Sequence, residues 1–330
     1  MANLTERLEA ALDEPTRTAL AEISVLSAPE TAAGPAARSV GFEEIVGPLD
    51  RIASAVRTLA PLARSPGSAD VLIEAYEYLR RRYVQLVGII LSEVTGAARL
   101  PSSTDWTRLN DFADRLSKVS RHHDTVVFTL NYDTLLESAL LERHAGWFYD
   151  GFAGVSLSFN HPLDRRPGTI GAYHLHGSAL WFQDPSGAVR KVRSDSLRRQ
   201  GLLDDWISGS QTNALPVVVL SDLKSHAIAR YPFDLLYQEL WSELTTASTL
   251  VIAGYGFGDR PINALVAQWM RRSAGLLEVW SRDQVRAHAT AVDRLRLEDG
   301  SIGRLSSFSV ELPDPDAVDA LEARLRRSSR

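Results

Sequence analysis

Apolar residues in the first 120 positions of the chain recur at spacings of three and four residues. This repeat is that of an amphipathic helix, because residues at those spacings share one helical face. Residues 27–39 interrupt it with small residues, proline and glycine, which predicts a loop. The pattern predicts no convincing strand, and it predicts helices over residues 4–12, 16–26, 42–62, 69–93 and 105–119.

From residue 125 the pattern changes to short apolar runs rich in β-branched residues. Such runs favour strands, and helical patterns at residues 233–244 and 262–271 separate several of them. Strands that alternate with helices are typical of an α/β fold with a parallel, Rossmann-like sheet covered on both faces. The predicted strands lie at residues 125–129, 172–175, 216–220 and 249–252.

Other parts of this region predict a hairpin and a closing unit. A turn at residues 184–187 separates two short apolar runs, as expected of a hairpin. Residues 276–297 fit neither the helical nor the strand period clearly. The hairpin strands, the closing strand and the closing helix are predicted at residues 179–182, 188–192, 307–312 and 316–326.

The chain has 330 residues, a formal net charge of −5 and no cysteine. Its length suits one large domain, with a helical portion over residues 1–120 and a Rossmann-like portion over residues 121–330. The charge gives no reason to expect nucleic acid as a partner, and the lack of cysteine excludes disulfides and thiolate zinc sites. No signal peptide begins the chain, and the apolar stretch at residues 83–94 is too short to span a bilayer. We therefore expect a soluble, cytoplasmic protein without membrane contact.

Two of the predicted strands end in polar residues that could carry chemistry. The run at residues 125–129 leads into Asn131, and the run at residues 172–175 leads into His176. Ligands of α/β proteins bind at the carboxyl ends of parallel strands. The Asn131 amide can donate and accept hydrogen bonds, and His176 could act as a general base. Plainer interpretations stay open, in which Asn131 only caps a helix that begins at Tyr132 and His176 is a buried histidine before a glycine turn.

A glycine-rich segment at residues 254–259 follows one predicted strand and precedes a helix. The missing side chains of Gly254 and Gly256 would let the backbone approach a nucleotide, although the spacing departs from Gly-x-Gly-x-x-Gly. Asp259 either contacts that ligand or caps the helix. Asp133 either accepts a hydrogen bond from a ribose hydroxyl or serves as a cap or ion-pair partner.

A metal site is a further alternative. His174 and His176 alternate along a strand, so they would share one face and could ligate a metal with Asp222 or His226. Nothing in the spacing demands a metal. We expect none.

Three motifs, taken in order, resemble those of bacterial sirtuin-like domains: Thr-Leu-Asn-Tyr-Asp at residues 129–133, Leu-His-Gly-Ser at 175–178 and Gly-Tyr-Gly-Phe-Gly-Asp at 254–259. The resemblance covers residues 121–272. It implies a Rossmann-like fold. It also implies an enzyme that consumes NAD as a substrate by cleaving the nicotinamide–ribose bond, a reaction that the family often uses in anti-phage defence. It also implies Asn131 and His176 as the catalytic pair, with contacts to NAD from Thr129, Asp133, Gly177, Gly254, Gly256 and Asp259.

The family also sets expectations about partners and activity. Its members often oligomerise when active, so we expect a homo-oligomer or a partner protein from a defence system. A zinc-dependent deacylase is disfavoured because the zinc-binding cysteines are absent.

Family members normally begin with a strand that ends in a Gly-Ala-Gly-x-Ser loop, which holds the pyrophosphate of NAD. This chain opens on the helix predicted at residues 4–12. If coding sequence lies upstream, we expect an active NAD hydrolase. If Met1 is the true start, we expect a catalytically impaired module that binds a nucleotide or a partner.

Overall fold

Three helices form the first part of the computed structural model. The structure describes residues 42–62, 65–98, 103–153, 158–160, 165–166, 168–192, 196–210, 214–220 and 224–328. The predictions for residues 4–12, 16–26 and 27–39 lie outside the described residues. The three helices predicted next along the chain are confirmed, as α1 (Phe42–Leu59, continued by a 3-10 turn at Ala60–Leu62), α2 (Pro66–Ala98) and α3 (Ser103–Ser120).

Strands and helices alternate through the rest of the described chain. The strands are β1 (Val126–Thr129), β2 (Phe148–Tyr149), β3 (Phe152–Ala153), β4 (Ser158–Phe159), β5 (Ile170–His174), β6 (Gly177–Gln183), β7 (Val189–Lys191), β8 (Leu215–Val218), β9 (Thr249–Ala253), β10 (Leu276–Ser281) and β11 (Leu305–Ser309). The helices are α4 (Leu135–His144, followed by a 3-10 turn at Ala145–Trp147), α5 (Ser196–Ser208), α6 (Lys224–Ala227), α7 (Phe233–Thr246), α8 (Arg260–Arg272), α9 (Gln284–Leu295), α10 (Asp299–Ile302) and α11 (Pro315–Ser328).

Two parallel sheets of three strands carry the α/β part. Strand β5 lies between β1 and β2, and strand β10 lies between β9 and β11. Within the described residues these sheets are not hydrogen-bonded to each other. Parallel sheets with flanking helices and a helical N-terminal portion confirm the predicted α/β, Rossmann-like fold class.

The strand predicted at residues 216–220 is present as β8, but it does not belong to a parallel sheet. It pairs antiparallel with β6 in a sheet of order β3-β4-β7-β6-β8. Val217 packs into the core beside α7, whereas Val218 packs into the core beside α2. A strand buried on both faces is apolar throughout in either kind of sheet, so its pattern could not reveal the direction of pairing.

The remaining predictions differ from the structure mainly at element ends. The hairpin is confirmed, since β6 pairs antiparallel with β7 and the Asp184 amide donates to Ala188 O at 2.9 Å. The predicted closing strand lies two residues earlier, as β11, and the closing helix is α11. The ambiguous segment at residues 276–297 is a strand followed by a helix, β10 and α9. Short elements without a sequence signal, such as β2, β3, β4 and α6, were not predicted.

Helix α2 joins the helical part to the antiparallel sheet. Its buried residues Val84, Val87 and Ile90 recur at three-residue spacing and form one apolar stripe. This stripe packs with Trp206 of α5 and Val218 of β8. Burying an aliphatic side chain of this size contributes about 1.5–3 kcal/mol, so the stripe anchors α2 firmly to the sheet.

A larger apolar cluster underlies the site. It combines residues of β5, β9 and β10 with residues of α7, α8 and α9. Within the described residues, no helix is both long and apolar enough to cross a membrane.

Candidate functional site

The carboxyl ends of β1 and β5 lie side by side. Thr129 and His174 are paired across these parallel strands, and the Leu175 amide donates to Thr129 O at 2.9 Å. The segments that follow the two strands therefore leave the sheet at the same edge. Asn131 belongs to one of these segments and His176 to the other.

Asn131 does not cap a helix, which corrects that interpretation. Helix α4 begins at Leu135 and not at Tyr132. The Leu135 amide donates to Asp133 Oδ1 at 3.1 Å, so the side chain that binds the first amide of α4 is that of Asp133 and not that of Asn131. The backbone N–H of Asn131 donates to Thr129 Oγ1 at 3.1 Å, and the Asn131 residue is exposed at the sheet edge.

Tyr132 explains why the helix begins late. Its ring is buried, and its hydroxyl donates to Val219 O at 2.7 Å. The Ala179 amide donates to Tyr132 O at 3.0 Å. Both ends of Tyr132 are thus bound, one to Ala179 of β6 and one to Val219 just after β8, and this holds the segment before α4 in a non-helical path.

His176 is buried and lies between α7 and α8. Its Nε2 atom is 3.1 Å from Asp259 Oδ2 and 3.3 Å from the Tyr237 hydroxyl. The Val219 amide donates to His176 O at 2.9 Å, which fixes the backbone against β8. Burial, together with the charge of Asp259, raises the pKa of Tyr237, so this phenol stays protonated. Both side chains contact the same ring nitrogen, so they position the imidazole at its Nε2 atom.

Asp259 is both a helix cap and an ion-pair partner. Its Oδ1 atom accepts the Ile262 amide at 3.1 Å at the start of α8, and its Oδ2 atom lies 3.2 Å from Lys224 Nζ. Burial raises the pKa of Asp259, but the hydrogen bond from His176, the Ile262 amide and the charges of His176 and Lys224 together lower it to about 2. The carboxylate is therefore ionised at neutral pH and presents a negative charge to the facing His176 nitrogen.

Gly177 is required by the path of the chain. Its φ is +81°, and a Cβ atom at this position would lie 2.0 Å from Val217 O. Only glycine lets β6 begin directly after His176 while β8 passes this close. The structure thus gives Gly177 a backbone role beside its predicted contact with NAD, which stays a prediction.

The glycine-rich segment forms an exposed loop between β9 and α8. Gly254 and Gly256 are exposed, and a Cβ atom at either would meet nothing within 4 Å. The backbone of this loop is therefore open to a ligand. The predicted contacts of Gly254 and Gly256 with NAD remain predictions.

Side chains from α8 and from the loop itself hold this loop in shape. The Asp259 amide donates to the Tyr255 hydroxyl at 3.0 Å, and that hydroxyl donates to Asn263 Oδ1 at 2.9 Å. The side-chain nitrogen of Asn263, Nδ2, donates to Phe257 O at 2.9 Å. Phe257 has a φ of 54°, and its buried ring holds a backbone conformation that is costly for a side chain.

His174 and His176 do not share partners, which corrects the expectation that they face one side. His174 Nε2 lies 3.2 Å from Glu137 Oε2 of α4, whereas His176 faces Asp259. The strand ends at His174, so strict alternation stops there. Asp222 and the His226 side chain lie outside the described residues. In the remainder, no group of three or more histidine, aspartate or glutamate residues is arranged to hold a metal.

Sequence reasoning missed several residues around His176, because they come from distant segments and have no motif of their own. Lys224 and Tyr237 precede the glycine loop on α6 and α7, and Asn263 follows it on α8. The sequence could have indicated Asn263, because it lies four residues after Asp259, a predicted cap, and thus on the same face of the helix.

One comparison places the chain among known proteins. The family model described as SIR2-like domain matches residues 125–294, more than half of the chain. The match includes Asn131, His176 and the glycine loop. A search of curated proteins finds no match. By its fold and by this match, the chain belongs to the SIR2-like domain family.

Proposed function

We propose that the protein is an NAD glycohydrolase that cleaves the bond between nicotinamide and ribose. The observation that carries the proposal is the buried His176–Asp259 pair, with 3.1 Å between Nε2 and Oδ2, beside the strand end that bears Asn131. A carboxylate that orients an imidazole is a recurrent device for general base catalysis. In a SIR2-like domain, NAD is the substrate that this device best fits.

The reaction replaces one bond to the ribose with another. Water adds to the sugar carbon that bears nicotinamide, the carbon–nitrogen bond breaks, and nicotinamide leaves with the bonding electrons. The transition state has oxocarbenium character, so the site must hold the ribose and position the nucleophile. Asn131 would do this through an amide that both donates and accepts. Its exposed position at the sheet edge leaves it accessible to the sugar.

His176 would take the proton from water or from a ribose hydroxyl. In the neutral ring that carries its proton on Nε2, the atom 3.1 Å from Asp259 Oδ2, the lone pair lies on Nδ1. Asp259 then stabilises the imidazolium that forms as the proton arrives. The phosphates of NAD would lie against the loop that contains Gly254 and Gly256, and Thr129, Asp133 and Gly177 line the adjoining strand ends.

The biological role that we propose is anti-phage defence in the cytoplasm, where loss of NAD halts an infected cell. The support is analogy with bacterial sirtuin-like proteins. We propose further that the active form is a homo-oligomer or a complex with a defence-system protein. A phage challenge of cells that carry the wild-type gene or the His176→Ala variant tests this role.

Release of nicotinamide from NAD by the purified protein tests the activity. Replacing Asn131 or His176 with alanine should reduce the rate by at least about 100-fold, the scale of a lost general base. His122→Ala is a matched control, because His122 is exposed and outside the site, and it should keep full activity. Binding of NAD without any nicotinamide release would instead support a catalytically impaired nucleotide-binding module.

A further inference from the structure

A second cluster of ionisable side chains lies beneath the Asn131 segment. Glu137, His174, Lys191 and Asp150 have relative exposures of 5%, 3%, 8% and 9%. Lys191 Nζ contacts both Glu137 Oε1 and Asp150 Oδ2, and Glu137 Oε2 lies 3.2 Å from His174 Nε2. The cluster links α4, β5, β7 and the turn between β2 and β3.

His174 connects this cluster to the Asn131 backbone. Its Nδ1 atom lies 3.0 Å from the carbonyl oxygen of Asn131. A carbonyl oxygen can only accept, so Nδ1 must carry the proton in that bond. The opposite nitrogen, Nε2, faces a carboxylate oxygen of Glu137.

Glu137 is ionised and can only accept as well. Burial raises its pKa, but the charge of Lys191 and the contact with His174 lower it to about 2. Both ring nitrogens of His174 thus face acceptors, and a neutral imidazole has one proton for two bonds. A doubly protonated ring, with one proton on each nitrogen, can donate to both acceptors.

The charge balance of the cluster agrees with this assignment. Glu137 and Asp150 carry two negative charges and Lys191 carries one positive charge. A buried excess charge is costly. A protonated His174 brings the total to zero.

Apolar side chains enclose the cluster. The Trp181 ring meets the His174 ring edge-on, with 5.9 Å between centroids, and Lys191 Nζ lies 5.8 Å from the centroid of the Phe152 ring. The charged and titratable groups that face His174 are therefore Glu137 of α4 directly and, through it, Lys191 and Asp150. In this enclosed setting the hydrogen bonds are strong and directional.

We propose that His174 is a positioning residue which, as an imidazolium, holds the Asn131 backbone in place for catalysis. This rests on the proposed function, because the purpose of the contact is the placement of Asn131. His174 itself touches neither the sugar nor the base His176. It acts through the carbonyl oxygen of Asn131, and the buried charges hold it rigid.

Two substitutions separate the two bonds of His174. In His174→Asn, the side-chain nitrogen takes the place of Nδ1 and keeps the bond to Asn131 O. In His174→Gln, the nitrogen takes the place of Nε2 and keeps the bond to Glu137. Both remove the same charge, so they are matched controls for each other. We expect His174→Gln to lower kcat by about 10- to 100-fold with little change in KM, as for lost support of a site residue, and His174→Asn to keep most activity.

Equal loss of kcat in the two variants would overturn the proposal, because the bond to Asn131 would then be irrelevant. Hydrogen exchange gives a readout that needs no activity. Exchange of the backbone amides of residues 130–132 should accelerate in His174→Gln and stay near the wild-type rate in His174→Asn. Equal acceleration of exchange in the two variants would contradict the proposal.

Nitrogen NMR of the wild-type protein tests the protonation state directly. Histidine labelled on both ring nitrogens should show His174 doubly protonated at neutral pH, with the ring signals assigned by through-bond correlation to the His174 backbone of the wild-type protein. A neutral His174 tautomer would refute the proposal even if both variants failed to fold. If the wild-type protein releases no nicotinamide, the proposed function fails, whereas the NMR and exchange measurements still decide the state and role of His174.

Discussion

The imidazole of His176 and the carboxylate of Asp259 form a buried pair that ties the end of β5 to the first turn of α8, with 3.1 Å between Nε2 and Oδ2. Asp259 was expected from sequence to contact the nucleotide or to cap a helix. In the structure it caps the helix with one oxygen and faces His176 with the other. The pair therefore couples the orientation of the base to the folding of α8.

The Asp259→Asn variant tests that coupling. Asparagine caps helices as well as aspartate does, so α8 should remain intact. The neutral amide cannot stabilise an imidazolium, and we expect nicotinamide release to fall by about 10- to 100-fold. Asp283→Asn is the matched control, because Asp283 caps α9 through the same contact, 3.0 Å from the Arg286 amide, away from His176. Wild-type activity in Asp259→Asn would mean that the pair is only structural.

Stability should fall steeply in acid. The pKa of Asp259 is lowered from 3.8, and that of Glu137 from 4.5, each to about 2 in the folded protein. The unfolded chain therefore binds more protons between these values, and stability rises with pH across this window. The contribution is complete above the unfolded values and is lost as pH falls toward about 2. For Asp259 it is roughly 2 kcal/mol.

Urea unfolding at a series of pH values measures this dependence. The Asp259→Asn variant should lose less stability on acidification than the wild type does, because it lacks one of the two groups. Equal slopes in both proteins would show that Asp259 does not contribute.

A side chain at position 177 should unfold the site. In Gly177→Ala, the new Cβ would lie 2.0 Å from Val217 O in addition to the strain of a φ of +81°. We expect a loss of more than about 3 kcal/mol in the free energy of unfolding. Gly187→Ala isolates the strain, because Gly187 has a φ of +84° in an open turn, and it should cost about 1 kcal/mol. Similar losses in both variants would argue against the clash with β8.

A side chain at position 256 should leave stability unchanged and weaken the binding of NAD. An added Cβ at Gly256 meets nothing within 4 Å, so Gly256→Ala should leave the melting temperature unchanged. If the loop approaches NAD, the methyl group will hinder it, and we expect about tenfold weaker binding, equal to roughly 1.4 kcal/mol, by calorimetry. Gly300→Ala, at another open position on α10, is the control. Unaltered NAD affinity in Gly256→Ala would remove this loop from the proposed site.

The fold class was accessible from sequence because long helices and alternating elements have clear periods. The direction of β8 was not, since an apolar run buried on two faces looks the same in parallel and antiparallel sheets. The start of α4 was misplaced for a related reason. Asn131 is a favoured local cap, but the long-range bond of the Tyr132 hydroxyl to Val219 overrides that local preference.

The residues of the candidate site also fall into those that the sequence predicts and those that it does not. Asn131 and His176 could be found because each follows a predicted strand. Tyr237 and Lys224 could not, because only the folded chain brings them beside His176 and Asp259. Glu137 could not be found either, because only the fold places His174 of β5 and Lys191 of β7 against it.

Strand β6 begins directly after His176, and strand β7 ends at Lys191, which contacts the buried carboxylates of Glu137 and Asp150. The turn of this hairpin, at Pro185, Ser186 and Gly187, is exposed. This exposed turn, the tip of the hairpin, joins the strand that follows His176 to the strand that ends at Lys191. Exposed turns tolerate insertions, so we expect a longer tip to leave both residues in place. This tip is a permissive point for inserting an epitope or a fluorophore, which would allow the protein to be followed in living cells.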